Sequence, residues 1–201
     1  MTTESILRVA FWVLFAGVFV MRIYFALRVR RAGERVMPDR EAVRREGRGM
    51  FAVRVVMFFL LLGWLTLYAI NPTWMGVLSA PFPNWLRWVG FVFGLASLGF
   101  WSWAQIVLGK EWSPQLQLLD EHHLVTTGPY SRIRHPLYTA MLGYGTSLAL
   151  VTANWVFIVL AVAVIAGLFA RVPKEEKMMI ETFGDEYTAY LQRTGRYFPK
   201  L

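Results

Sequence analysis

Cysteine is absent from the 201 residues, which removes disulfides, thiolate metal sites and cysteine nucleophiles together. Histidine is nearly absent: His122, His123 and His135 are the whole supply. The first two are adjacent, and no carboxylate is patterned with them like a known metal site, so no metal centre is expected. Charge is scarce as well, at 17% of residues against 56% hydrophobic. The loop from Asn71 to Asn84 carries none, and neither does the run from Leu137 to Ala170. Runs of that length exclude an ordinary soluble core and point to a multi-pass membrane protein. No internal repeat is evident, which argues against a repeat-built transporter.

What is present is apolar and aromatic, with nine tryptophans and 16% aromatic residues. Segments near 6–27, 52–70 and 86–108 each approach the roughly 20 residues that cross about 30 Å of hydrocarbon. The uncharged run 137–170 is too long for one ordinary span and is divided by Thr152-Ala153-Asn154. It reads as a hairpin of two short helices, 137–151 and 155–170, which needs bilayer thinning, burial against other helices or extension into the interface. The expected fold is all-α, a polytopic bundle of about five transmembrane helices within one domain, 1–201. Three spans and a basic loop, 28–49, make up 1–108, and a catalytic region makes up 109–201.

The first apolar segment lacks a small-residue cleavage site and runs straight into an arginine-rich loop, so it reads as a retained helix rather than a signal peptide. Between Arg28 and Gly49 stand eight arginines and four acids. The positive-inside rule puts this loop in the cytoplasm, the N-terminus outside and, after five crossings, the C-terminus inside. The net charge of +8 lies beside helix ends, where anionic lipid headgroups account for it better than nucleic acid does.

Polar chemistry concentrates in HHLVTTGPYSRIRHPLY, His122 to Tyr138. Such density at a membrane boundary reads as a functional site by default. An aromatic-and-arginine belt explains the arginines and tyrosines tolerably, but not their concentration with two histidine sites and a Gly-Pro turn. Thr127-Gly128-Pro129 marks a turn. Pro136 constrains His135 toward an extended conformation and suits the first turn of a helix, so a helix is expected to start there, with Tyr138 in its first turn. Beyond Lys174, Met178, Met179, Phe183, Tyr187, Tyr190 and Leu191 recur at helical spacing against a charged face, predicting a C-terminal amphipathic helix over 174–191 that Gly184 weakens without abolishing.

Together HHLVTTGPYSRIRHPLY, RVPKEE and FGDEYTAYLQRTGRYFP resemble the isoprenylcysteine carboxyl methyltransferase family, in particular its small five-helix prokaryotic members. The resemblance runs from about Glu111 to the C-terminus. It implies an integral enzyme of a prokaryotic inner membrane that uses S-adenosylmethionine and releases S-adenosylhomocysteine. It also implies that a cytoplasmic loop and the ends of the last spans build the cofactor pocket. By position it assigns His122, Leu124, Val125, Gly128, Tyr130, Arg134, His135, Tyr138 and Glu176 to the cofactor, and Arg171, Glu175 and Tyr138 to catalysis. His123 falls at a variable position.

Physical chemistry agrees with those assignments. The cofactor's sulfonium, ribose diol and amino-acid moiety call for carboxylate acceptors and an apolar slot. Glu176 is the expected acceptor for ribose or amine, His135 the partner of other polar edges, and Leu124, Val125, Tyr130 and Tyr138 the walls. Tyr138 is also the aromatic face expected against the sulfonium methyl. Arg171 suits a substrate carboxylate, since a guanidinium fork fixes two oxygens. The expected acceptor is the α-carboxylate of a C-terminal S-isoprenylcysteine or similar prenylated molecule entering from the bilayer. Alternatives are a phospholipid amine or a hydrophobic small thiol, which would need Glu175 or His122 as a proton sink, and a non-catalytic haem-handling or transport protein. Gly143 and Gly145 read as close-packing positions in preference to a substrate tunnel.

Overall fold

Glu4 sits in the first turn of the first helix, α1 (Thr3–Arg31), and Arg28, Arg30 and Arg31 in its last, the arrangement that complements a helix dipole at both ends. A computed structural model describes residues 2–31, 47–70, 73–109 and 123–200. The elements that follow are α2 (Arg48–Ile70), a 3-10 turn (Thr73–Leu78), α3 (Asn84–Leu108), a second 3-10 turn (Gly128–Ser131), α4 (Pro136–Thr152), α5 (Trp155–Phe183) and α6 (Asp185–Arg193). No strand occurs among the described residues, and the fold is a bundle of helices as expected. Most of loop 28–49 and the first part of the 109–136 connection, His122 included, lie outside the described residues.

Helices α1, α2, α3 and α5 contain stretches long and apolar enough to cross a membrane. At 17 residues, α4 is shorter, and it compensates by burial rather than length. Gly143, Tyr144, Ser147 and Val151 along α4 are all buried. Small residues let α3 and α4 close on each other: a Cβ at Gly94 would stand 2.2 Å from Ser147 Oγ, and one at Gly143 would stand 2.4 Å from Ser97 Oγ. This is the small-residue seam by which helices associate in lipid, and it settles Gly143 as a packing position. Gly145 packs more loosely, its nearest neighbour being Ala161 Cβ at 3.9 Å.

The predicted hairpin forms. Ala153, in the left-handed region at φ 45°, turns the chain, and Asn154 caps α5 by accepting from the Val156 amide at 3.0 Å. Its second arm does not stop at residue 170. The helix runs 29 residues, about 43 Å at 1.5 Å per residue, through Arg171 and Pro173 to Phe183. Charged residues past Ala170 continue the same helix, with Lys177 and Glu181 paired one turn apart at 3.8 Å. The single amphipathic helix expected over 174–191 is therefore two elements. Gly184 at φ 52° ends α5, because left-handed backbone there breaks the hydrogen-bond ladder where only glycine sits without strain. Tyr187 and Tyr190 are buried on the separate α6.

Contacts sort the helix ends into two groups. At one, buried Arg87 of α3 donates to the Val151 carbonyl of α4 at 3.0 Å and forks onto Glu4 of α1 at 2.6 and 3.0 Å. Arg8 donates there to the Tyr68 carbonyl of α2. Just inside, Phe11, Tyr68 and Phe157 join α1, α2 and α5 with ring centroids 4.6 to 5.7 Å apart. The opposite end gathers the start of α4, the charged part of α5 and the C-terminal tail. Between them, α1 carries Phe11 and Leu14 fully buried, and Leu14 offers its carbonyl to the Tyr144 hydroxyl at 3.1 Å. Outward-facing Val159, Val162 and Phe58 stay exposed, as lipid-facing side chains of a membrane protein do.

Candidate active site

Pro136 opens α4 with His135 as its N-cap residue, so the His135-Pro136 helix start expected from sequence is what forms. Pro136 lacks an amide that a first turn would leave unpaired anyway. That start aims Arg134, His135 and Tyr138 at the charged stretch of α5, where Arg171, Glu175 and Glu176 occupy one turn and a half.

The contacts are direct. Tyr138 donates to Glu175 Oε2 at 2.6 Å. The His135 ring stacks on Tyr138 with centroids 5.4 Å apart and planes 8° from parallel, and its Nδ1 lies 3.9 Å from Glu175 Oε1. Arg171 Nε lies 3.9 Å from Glu175 Oε2, one turn away on the same helix. Glu176, 7% exposed, receives Arg134 Nε at 3.1 Å and faces His135 Nε2 at 3.3 Å, both on Oε1. A carboxylate ion only accepts, so that imidazole nitrogen carries a proton.

Glu176 has a third partner, Arg196, which sequence reading did not assign. Its Nε donates to Oε1 at 3.1 Å and its Nη2 to Oε2. Four donors thus meet a carboxylate with about four lone-pair positions. The Glu176 hydrogen bonds raise the Arg196 guanidinium further above its already high range, against a smaller opposing effect of burial. Glu175 differs: its side chain is 29% exposed, and Tyr138 is its one hydrogen-bond donor among the described contacts.

The turn Gly128–Ser131 brings Tyr130 beneath this group. Gly128 adopts φ 57°, and a Cβ there would press on Val107 at 2.9 Å, so turn geometry alone requires glycine. Tyr190 of α6 donates to the Tyr130 carbonyl at 2.6 Å, pinning the turn from below. The Tyr130 hydroxyl is buried and meets no hydrogen-bond partner among the described residues. Burial, reinforced by the nearby Tyr190 and Glu175, pushes its phenol well above the ordinary range, so it is present as a donor. Leu124 and Val125 are half-buried, while His123 is exposed.

Of the residues expected to form a site, Arg134, His135, Tyr138, Arg171, Glu175 and Glu176 are thus linked by contact; Tyr130 lies near enough to Glu175 to feel its charge, and Gly128 shapes the Tyr130 turn against Val107. No group of three or more potential metal ligands occurs among the described residues. The missed residues are Thr194, Arg196 and Tyr197 in the tail. The tail carried a signal in RTGRYFP, but helical periodicity does not extend that far.

Residues 88–181 match the model of the isoprenylcysteine carboxyl methyltransferase (ICMT) family. Over 99 residues the chain is 32% identical to protein-S-isoprenylcysteine O-methyltransferase B of Arabidopsis thaliana, covering 48% of this chain and 50% of that protein. It is 32% identical over 112 residues to the cobalt-zinc-cadmium resistance protein CzcN of Cupriavidus metallidurans, covering 53% of this chain and 50% of that one. The solved structure of the eukaryotic intramembrane Ras methyltransferase ICMT superposes with a TM-score of 0.52 at 25% identity, over 57% of this chain and 42% of that chain. The chain thus spans about half the length of the first of these relatives. Residues 88–181, which hold the Arg134–Tyr138 and Arg171–Glu176 constellation whole, are thus the part of this chain that is similar to the isoprenylcysteine carboxyl methyltransferase family.

Proposed function

We propose that this protein transfers a methyl group from S-adenosylmethionine to the α-carboxylate of a C-terminal S-isoprenylcysteine or a similar lipophilic acceptor. The carrying observation is the linked set Arg171, Glu175, Tyr138 and His135 at one end of an apolar bundle, inside the segment that matches the family.

The residues suit the methyl donor. A partly exposed carboxylate, Glu175, has acceptor capacity for a hydroxyl or ammonium group. The buried Tyr130 hydroxyl has a donor to give. The faces of Tyr138 and Tyr130 supply apolar wall and a π surface suited to a cation, a contact worth about 0.5–2 kcal/mol. Leu124, Val125 and Gly128 belong to the same wall, and His122 belongs with them by position in the chain. Glu176, its oxygens filled, serves the pocket by fixing Arg134 and His135. When bound, the donor supplies an electrophilic methyl group on sulfur.

A carboxylate acceptor with a pKa near 3.5 is ionised at neutral pH and needs no general base. Orientation and exclusion of water then dominate the rate. Arg171 fixes the two acceptor oxygens as a fork, and its Glu175 neighbour tempers its charge, so that it orients the nucleophile more than it neutralises it. Tyr138 keeps Glu175 in place.

The site shares its end of the bundle with the basic end of α1, which the positive-inside rule assigns to the cytoplasm. A water-soluble donor would arrive there, a prenyl chain would arrive from the bilayer, and anionic headgroups would meet the basic loop. The proposed topology is N-terminus outside, with the C-terminus and site on the cytoplasmic face of a prokaryotic inner membrane.

The test is methyl transfer from radiolabelled S-adenosylmethionine, by purified protein in lipid, to a farnesylcysteine analogue, a phosphatidylethanolamine and a hydrophobic thiol. Base-labile label on the farnesylcysteine is the expected result. Label on the lipid or thiol alone would replace the acceptor, and a chain that neither binds S-adenosylhomocysteine nor transfers label would overturn the reading.

A further inference from the structure

The chain after α6 does not trail off. Buried Thr194 turns back, donating its hydroxyl to the Tyr190 carbonyl at 2.5 Å, and the tail then lies parallel to residues 132–135. The Gly195 amide donates to the Arg132 carbonyl at 3.0 Å, the Arg134 amide to the Gly195 carbonyl at 2.9 Å, and the His135 amide to the Arg196 carbonyl at 3.1 Å. Thr139 ties down the next residue through the Tyr197 carbonyl at 2.6 Å. The seat is tight: a Cβ at Gly195 would overlap the Phe198 carbonyl oxygen at 1.8 Å.

Arg196 therefore reaches His135 by two routes, one direct and one through Glu176. Its carbonyl holds the His135 backbone, and its guanidinium holds Glu176, which in turn faces the His135 ring. Glu176 is also where Arg134 rests. Without the Arg196 fork the carboxylate keeps two partners on Oε1 and nothing on Oε2, so its plane is free to rotate and the ring above it loses a fixed reference. The ring is what stacks on Tyr138.

We propose that Arg196 is a positioning residue of the methyl-donor site, acting through Glu176 on His135, so that the C-terminal tail is part of the binding machinery. This rests on the reading of the site as a methyl-donor pocket. Arg196 is 46% exposed, so truncating it opens no buried cavity. Its partner Glu176 is only 9% exposed but keeps Arg134 and His135 on Oε1, and Oε2 lies on the side that Arg196 covers, so the melting temperature read beside the Kd separates the effect on the ligand from the effect on the fold.

The experiment measures the Kd for S-adenosylhomocysteine, the melting temperature, and kcat and KM for the methyl donor, on full-length wild type, Arg196→Ala and Arg196→Lys in lipid. The expected result for Arg196→Ala is about a tenfold weaker Kd and a matching rise in donor KM, the scale of one lost charged hydrogen bond. Its kcat at saturating donor should stay within about threefold and its melting temperature near wild type, with part of the affinity regained in Arg196→Lys. An unchanged Kd in Arg196→Ala, beside a wild type that binds, overturns the proposal alone. Equal loss of affinity in both variants together with a lowered melting temperature overturns it in favour of a role in the fold. A wild type that binds no S-adenosylhomocysteine overturns both this proposal and the reading beneath it.

Discussion

Tyr138 and Glu175, 37 residues apart in the chain, meet in a 2.6 Å hydrogen bond in which the phenol donates to the carboxylate. The bond spans the start of α4 and the charged part of α5, and it leaves the second Glu175 oxygen within 3.9 Å of the His135 ring. Three elements of the proposed chemistry are aligned by one hydroxyl.

Removing that hydroxyl tests the alignment. Tyr138→Phe keeps the ring and its stacking on His135, and the freed carboxylate is open enough to rehydrate. The expected loss of stability is about 1 kcal/mol, whereas kcat/KM for methyl transfer should fall about tenfold, or 1.4 kcal/mol. Thermal melts beside steady-state kinetics check both; a variant as active as wild type would remove Tyr138 from the mechanism.

Glu176 presents the opposite balance. Its removal by Glu176→Ala leaves Arg134, 11% exposed, without its carboxylate in a buried place and takes the acceptor from His135 Nε2, which should cost about 3–5 kcal/mol. Glu176→Gln retains one acceptor oxygen and should cost visibly less. Melting temperatures of the two variants in the same lipid decide the order, and equal stabilities would contradict the buried cluster described here.

Arg171→Lys keeps the charge and discards the planar fork. If the guanidinium orients an acceptor carboxylate, kcat/KM for the prenylcysteine should drop about tenfold while S-adenosylhomocysteine affinity stays within about a factor of two. Isothermal titration with the product and kinetics with the acceptor separate these; a loss confined to product affinity would assign Arg171 to the donor instead.

The α3–α4 seam supplies a prediction independent of function. Gly94→Ala puts a methyl group 2.2 Å from Ser147 Oγ and 2.8 Å from Leu14, an overpacking expected to cost about 1–3 kcal/mol. On the same helix Gly99 has nothing within 4 Å of an added Cβ, and Gly99→Ala should be neutral or stabilise by up to about 1 kcal/mol. Unfolding in mixed micelles followed by tryptophan fluorescence compares the pair.

Much of the site is legible in the chain because its parts are local. Arg134, His135 and Tyr138 lie within one helix start, and Arg171, Glu175 and Glu176 lie within a turn and a half of another. Arg196 was hidden for a complementary reason. It stands on irregular backbone past the last helix, and its role depends on a tail that doubles back along residues 132–135, a pairing with no period to read. The extent of α5 was obscured because hydropathy marks where a helix leaves lipid, not where it ends. Charged residues past Ala170 change the solvent without breaking the backbone ladder, and the break waits for Gly184.

By itself the sequence determined the membrane as solvent, a bundle of apolar helices, the hairpin turn at Thr152-Ala153-Asn154, the start of α4 at Pro136, and the two short segments that carry the six polar side chains. These follow from composition and short-range backbone preference, which act between near neighbours. Only the tertiary structure decided that α4, short as it is, is held by a glycine and serine seam with α3. It also decided that Glu176 is saturated while Glu175 is open, and that the C-terminal tail completes the cluster. Those outcomes depend on which oxygens and which faces meet across tens of residues, and close packing with directional hydrogen bonds selects them only once the helices are side by side.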